Sequence, residues 1–161
     1  MKTNKMKKIL IALDYNPTAQ KVAETGFALA KTMKAEVVLL HVVVDIDYYI
    51  ATEHYSVMGF AGFRDSIPAE LQNTKELIKA TKRFLDKTKK HLGGKNITTL
   101  VKEGDLAETI LKTADTQKAD LIVMGSHSRK WLENIIMGRV TEKVLHKTRI
   151  PVFIIPTKKQ D

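Results

Sequence analysis

The sequence predicts an α/β protein built on an open parallel sheet of five strands, with helices on both faces. Three observations predict it. Five short apolar runs are separated by longer stretches, most of them with apolar residues recurring at three- and four-residue steps. Runs such as Val37-Val38-Leu39-Leu40-His41-Val42-Val43 are apolar almost without interruption, which suits a strand covered on both faces. Strands that alternate with helices imply right-handed crossovers, and those make neighbouring strands parallel.

The first strand is residues 7–13, ended by Asp14. Asn16-Pro17-Thr18 opens a helix, with Asn16 as cap and Pro17 in the first turn. Val22, Gly26, Leu29 and Met33 mark its buried stripe, and Ala19, Ala23 and Ala30 let it lie close to the sheet. The second strand is Glu36 to Val44. From 45 to 68 the pattern dissolves, and Tyr48, Tyr49, Tyr55, Phe60 and Phe63 lie among Gly59, Gly62, His54 and Asp65. An irregular insertion of this length is a lid, a dimer contact or a floppy connection.

Helical spacing returns with Leu71, Thr74, Ile78, Thr81, Leu85, Thr88 and Leu92, and Gly93-Gly94 stops it. Ile97 to Val101 is less apolar and reads as a strand near a sheet edge. Asp105 caps the next helix with Glu108 as its capping-box partner, and Ala107, Ile110, Leu111 and Ala114 face the core. Ala119 to Met124 is the fourth strand. A glycine-containing loop leads to a helix bearing Leu132, Ile135, Ile136, Val140, Val144 and Leu145, and Val152-Phe153-Ile154-Ile155 is the last strand. The chain reads as one domain over 1–161, with flexible tails at 1–6 and 157–161.

Composition narrows the function classes. The 161 residues hold no cysteine, which excludes disulfides, thiolate metal sites and cysteine nucleophiles and fits a reducing cytoplasm. No run approaches the ~20 apolar residues of a membrane span, and the N-terminal apolar run is too short for a signal-peptide core. A soluble cytoplasmic protein without a membrane partner is expected. The net charge of +9 is carried by cations spread along the chain. Lys79, Lys82, Lys87, Lys89 and Lys90 share a helical stretch with Glu70, Glu76 and Asp86, without an RNA-binding aromatic motif or zinc spacing. They read as a solvated face with a general attraction to polyanions and no specific nucleic-acid partner.

In open α/β sheets, ligands bind beyond the carboxyl ends of the strands, where the strand order reverses. Three segments converge there: Ala12-Leu13-Asp14, His41-Val42-Val43 and Met124-Gly125-Ser126-His127. Gly125 at a strand end permits positive φ and close approach of a ligand. Gly138, before Val140-Thr141-Glu142, exposes helical amides to anionic oxygens. Arg129, Lys130 and Arg139 add positive charge, and Thr141 adds a hydroxyl. His41, ending a buried strand, reads as structural, and Trp131 and Met137 as core.

The block Asp120-Leu121-Ile122-Val123-Met124-Gly125-Ser126-His127, with Gly138, Val140 to Leu145 and Pro151-Val152, resembles the universal stress protein signature. The Ile9 to Asp14 and Leu39 to Val43 segments match as well. The resemblance implies an adenine nucleotide alpha hydrolase-like sheet of strand order 3-2-1-4-5. ATP-binding members of that family carry glycine, two residues, glycine, nine residues, then glycine with serine or threonine. Here Gly125 and Gly138 keep the separation, while Ser128 replaces the middle glycine and Arg139 the closing hydroxyl residue.

The resemblance places adenine near Val42, ribose near Asp14, Met124 and Gly125, and phosphates against His127 to Ser128 and Gly138 to Thr141. Ala12 and Arg129 complete the expected set. The ligand implied is ATP or AMP, with magnesium reached through Asp14. Two departures bear on it. Ser128 at a positive φ would cost roughly 1 kcal/mol, and Arg139 either grips phosphate as a forked donor or fills the volume where phosphate belongs. No second carboxylate accompanies Asp14, and there is no Walker loop or Gly-x-Ser-x-Gly elbow, so an enzyme is not expected. Two readings stand. One is a regulatory domain that binds an adenine nucleotide, and the other is a family member without nucleotide that acts through its surface as a dimer. Under both, the resemblance implies a homodimer through Val152–Ile155.

Overall fold

Nine elements follow one another among the residues that the computed structural model describes, namely 5–14, 18–44, 74–126 and 138–157. They are β1 (Lys8–Ala12), α1 (Ala19–Met33), β2 (Glu36–Val43), α2 (Thr74–Leu92), β3 (Ile97–Glu103), α3 (Leu106–Thr116), β4 (Leu121–Gly125), α4 (Arg139–Lys147) and β5 (Val152–Ile155). The strands form one sheet in the order β3-β2-β1-β4-β5, every pair parallel, as expected. The 45–68 insertion lies outside the described residues. So do Asn16, Pro17, Lys130, Trp131, Leu132, Ile135, Ile136 and Met137.

Alternation along each strand separates two cores. Ile9, Ile11 and Leu13 of β1, with Val37 and Leu39 of β2, pack against Val22, Ala23 and Ala30 of α1 and Leu85 of α2. On the other face Leu10, Val38, Leu40 and Ile122 meet Ala107, Ile110 and Ala114 of α3 and Val144 of α4. β1 lies at the centre, with Ile9, Leu10 and Ile11 fully buried. Each such side chain contributes roughly 1.5–3 kcal/mol of transfer free energy. Gly26 sets the height of α1 above the sheet, because a Cβ there would lie 2.8 Å from Ile11 Cδ1.

Helix ends show what the sequence signals captured and what they missed. α2 stops at Gly93, whose φ of +70° places it in the left-handed region. α1 stops instead on Lys34 and α3 on Gln117 followed by Lys118, both lysines lying at φ 54°. The residues after them close each turn, Ala35 N donating to Ala30 O and Ala119 N to Ala114 O, both at 2.9 Å. These bonds, with packing of the following strand, offset the roughly 1–2 kcal/mol that the left-handed region costs a residue with a Cβ.

Several boundaries differ from expectation. β3 continues two residues further, to Glu103, because the pairings Val42↔Lys102 and Val43↔Glu103 carry it where apolar content has fallen. Leu145 is 37% exposed, since α4 turns Thr141 and Val144 inward instead. Met6 packs against the core, and Thr157 is buried, its N–H donating to Ser126 Oγ at 3.1 Å.

Candidate functional site

Parallel pairing brings the carboxyl ends of β1, β2 and β4 to one edge of the sheet. β1 stands between the other two, Ile11 being paired with Leu39 on one side and Val123 on the other. The connection from β1 passes over one face through α1, and that from β4 passes over the other through α4. The chain therefore parts between β1 and β4, which leaves a crevice at that edge. Ala12, Val42 and Met124 all belong to the α3/α4 face, with Val42 and Met124 buried and Ala12 partly so.

Asp14 follows directly and is half-buried. Its position is set by the residue before it. Leu13 N donates to Leu40 O at 2.9 Å, and Leu13 O accepts from His41 Nδ1 at 2.8 Å. A carbonyl only accepts, so this contact assigns the proton to Nδ1. His41 is 2% exposed. It is a structural histidine, as its place in a buried strand suggested, and it ties the turn that presents Asp14 to the end of β2.

The β4 side is built around Ser126. Its N–H donates to Ile155 O at 3.0 Å, and its carbonyl accepts from Gly138 N at 3.0 Å. Its hydroxyl oxygen accepts from Thr157 N. The ends of β4 and β5 and the start of α4 thus meet on one residue. Gly125 is buried within β4 and paired with Ile155. Positive φ among the described glycines falls at Gly93 and Gly104, so Gly125 is extended and its lack of a side chain is not used for a turn.

Gly138 occupies the cap position of α4 at φ −73°, ψ 158°. The first intrahelical bond is Glu142 N to Gly138 O at 3.0 Å, so the amides of Arg139, Val140 and Thr141 have no acceptor within the helix. They point toward the edge of the sheet with the positive end of the helix dipole. Arg139 is exposed, and among the described residues it makes no hydrogen bond or ion pair. Val140 is partly buried against the α3/α4 core. The Thr141 hydroxyl is buried and donates to Gly125 O at 3.1 Å. Its proton is therefore used within the fold. His127, Ser128 and Arg129 lie outside the described residues.

Charge on α3 and α4 is organised beside this edge. Asp105 caps α3 by accepting from Glu108 N at 3.0 Å, and Lys143 of α4 reaches its carboxylate at 3.1 Å. The Glu108 carboxylate, predicted to complete a capping box, is engaged by Lys147 and lies 3.9 Å from Lys143. The bond from the Glu108 amide, then Lys143, holds Asp105 below the usual carboxylate range. Lys147 does the same to Glu108, whose carboxylate in turn raises Lys147. This exposed network links α3 to α4. Among the described residues no three acidic or histidine side chains gather to hold a metal.

The family model of the universal stress protein family matches residues 5–156. Universal stress protein MJ0577 of Methanocaldococcus jannaschii is 34% identical over 158 residues, covering 94% of this chain and 96% of the relative. MJ0531 of the same organism is 32% identical, covering 98% and 86%. The solved structure of MJ0577 superposes with a TM-score of 0.69 at 26% identity, covering 97% of this chain and 99% of that one. A universal stress protein from Archaeoglobus fulgidus in complex with dAMP shares the fold, with a TM-score of 0.61 at 17% identity over 93% of this chain and 98% of that one.

Proposed function

The chain belongs to the universal stress protein family, and from that premise we propose that it is a regulatory domain that binds an adenine nucleotide, ATP or AMP, at the β1/β4 crevice. The observation that carries the reading is the direction of Arg139. It stands where the family's nucleotide-binding signature has serine or threonine, yet it is exposed, and the amides at the start of α4 have no acceptor within the helix. Related structures in complex with cAMP and with dAMP support adenine as the base.

In this reading Val42, Met124 and Ala12 offer an apolar wall to the base, and Asp14 accepts from ribose hydroxyls. Gly125 gives the sugar room against the backbone. The amides of Arg139, Val140 and Thr141 donate to phosphate oxygens from Gly138 onward, and Arg139 adds a forked charged donor. His127, Ser128 and Arg129 belong to the phosphate side, and magnesium joins Asp14 to phosphate. Regulation follows if the bound nucleotide favours one arrangement of these segments by differential contact. The domain acts as a binder and not as a dedicated enzyme.

Calorimetry with Mg-ATP and with AMP tests the proposal. A saturable heat is expected, weakened in Arg139→Ala by roughly 10- to 150-fold, the equivalent of about 1.5–3 kcal/mol for charged hydrogen bonds. Asp14→Ala should weaken both ligands. No heat at millimolar nucleotide would remove the reading. β5 supplies the second half of the proposal. Phe153 is 40% exposed on an edge strand, and an apolar edge of this kind suits pairing with the same strand of a second copy.

A further inference from the structure

The chain's net charge of +9 is not evenly distributed over the fold. α2 carries seven lysines and arginines against two carboxylates, a net +5 on nineteen residues. Its apolar side is used internally, with Leu77, Ala80 and Leu85 buried and Phe84 packed against the same core. The exposed positions from Lys75 to Lys90 are six cations, Lys75, Lys79, Lys82, Arg83, Lys87 and Lys90, and Asp86. Both acids are already engaged. Glu76 pairs with Lys79 at 3.0 Å, and Asp86 accepts from Thr99 at 3.3 Å. What reads in the sequence as scattered charge is gathered by the helix into one basic face. At ~1.5 Å per residue this face is roughly 22 Å long.

The chemistry of the face selects among anionic partners. A helix that lies in a membrane inserts an apolar side, but here that side is turned to the sheet. Among the described residues, the large exposed hydrophobic side chains are Leu145 and Phe153, on α4 and β5. No aromatic residue stands among the exposed cations to stack on unpaired bases. A nucleic-acid duplex presents a phosphate about every 3.4 Å of axis on each strand, and because the strands wind, a straight stripe of cations meets those that line one groove.

We propose that the exposed face of α2 docks on the phosphate backbone of a nucleic-acid duplex, without reading its base sequence. Five of the six cations are lysines, which act as point charges toward phosphate and lack the rigid fork that reads guanine. Binding of this kind releases counterions, and its logarithm falls with the logarithm of salt at about −0.9 per phosphate contacted.

Anisotropy of a labelled random-sequence duplex, as DNA and separately as RNA, measures this with the full chain. One contact per exposed cation, six in all, is the upper bound and gives a loss of about 10³-fold in affinity between about 50 and 200 mM salt. The variant Lys75→Ala, Lys82→Ala, Lys90→Ala should lose only about 40-fold over that range, its slope shallower by roughly 2.7. A charge-matched control, Lys7→Ala, Lys102→Ala, Lys112→Ala, removes exposed lysines from elsewhere in the chain and should keep the full slope. Binding of either duplex with that contrast supports the proposal, and a preference between them identifies the source of the backbone. Equal loss of slope in both variants, absence of duplex binding at low salt, or displacement of the duplex by phosphatidylserine vesicles of equal charge would overturn it.

Discussion

The sheet has two edges, and they meet their surroundings in opposite ways. β3 exposes Thr98, Lys102 and Glu103, and its side chains beyond Ile97 are at most half-buried. β5 offers Val152, Phe153, Ile154 and Ile155, with Phe153 among the most exposed large apolar side chains described. Charges and short polar residues blunt an edge, whereas an apolar edge invites another strand. Both strands are finished by bonds to the strand beside them, Gly104 N to Val43 O after β3, and Ser126 N to Ile155 O with Thr157 N to Ser126 Oγ after β5. The difference lies in the side chains, polar along β3 and apolar along β5.

The largest expected effect breaks this contrast at β5. Phe153→Glu should raise the dimer dissociation constant by about thirtyfold or more, the worth of a contact of ~2 kcal/mol at the centre of an interface. Lys102→Glu on β3 should leave the mass in solution unchanged. Light scattering that finds both variants alike would show the edges to be equivalent. Next in size is Gly104→Ala at the end of β3. Its φ of +135° is poorly suited to any side chain, and a Cβ would lie 2.9 Å from Thr109 Oγ1. A loss of about 1–3 kcal/mol is expected in denaturant melts.

Thr141→Val sharpens the comparison on the β5 side by removing the bond to Gly125 O while keeping shape. It leaves that carbonyl without its hydroxyl donor and should cost about 1 kcal/mol or somewhat more. Asp105→Ala removes the cap after β3 at a cost of ~1 kcal/mol. The smallest effect is one of pH. The folded state holds Asp105 below its ordinary value, so its contribution is complete above the unfolded pKa and is lost as pH falls through the folded one. Asp105→Asn keeps an acceptor for Glu108 N but does not titrate. Its stability should therefore fall less steeply on the acid side of pH 4–5, as followed by thermal melts.

Sequence alone disclosed the central strands because both faces are covered, which leaves β1, β2 and β4 no polar positions to confuse the pattern. Strand order came from resemblance, and the parallel pairings agree with it. Helix ends at Lys34 and Lys118 were not legible, since lysine carries no signal for the left-handed region and the closing bonds come from the next residue. The segments of the crevice were visible because strand ends in a parallel sheet share an edge. The aim of individual side chains there was not. Thr141 reads as a ligand hydroxyl until the rotation of α4, fixed by Val144 against the sheet, turns it to Gly125. Arg139 was ambiguous for the same reason, and that rotation leaves it outward.

The bond from Gly138 N to Ser126 O couples the start of α4 to the end of β4, and Ser126 is bonded in turn to Ile155 O and Thr157 N. A displacement of α4 is therefore transmitted through one residue to the last strand of the sheet.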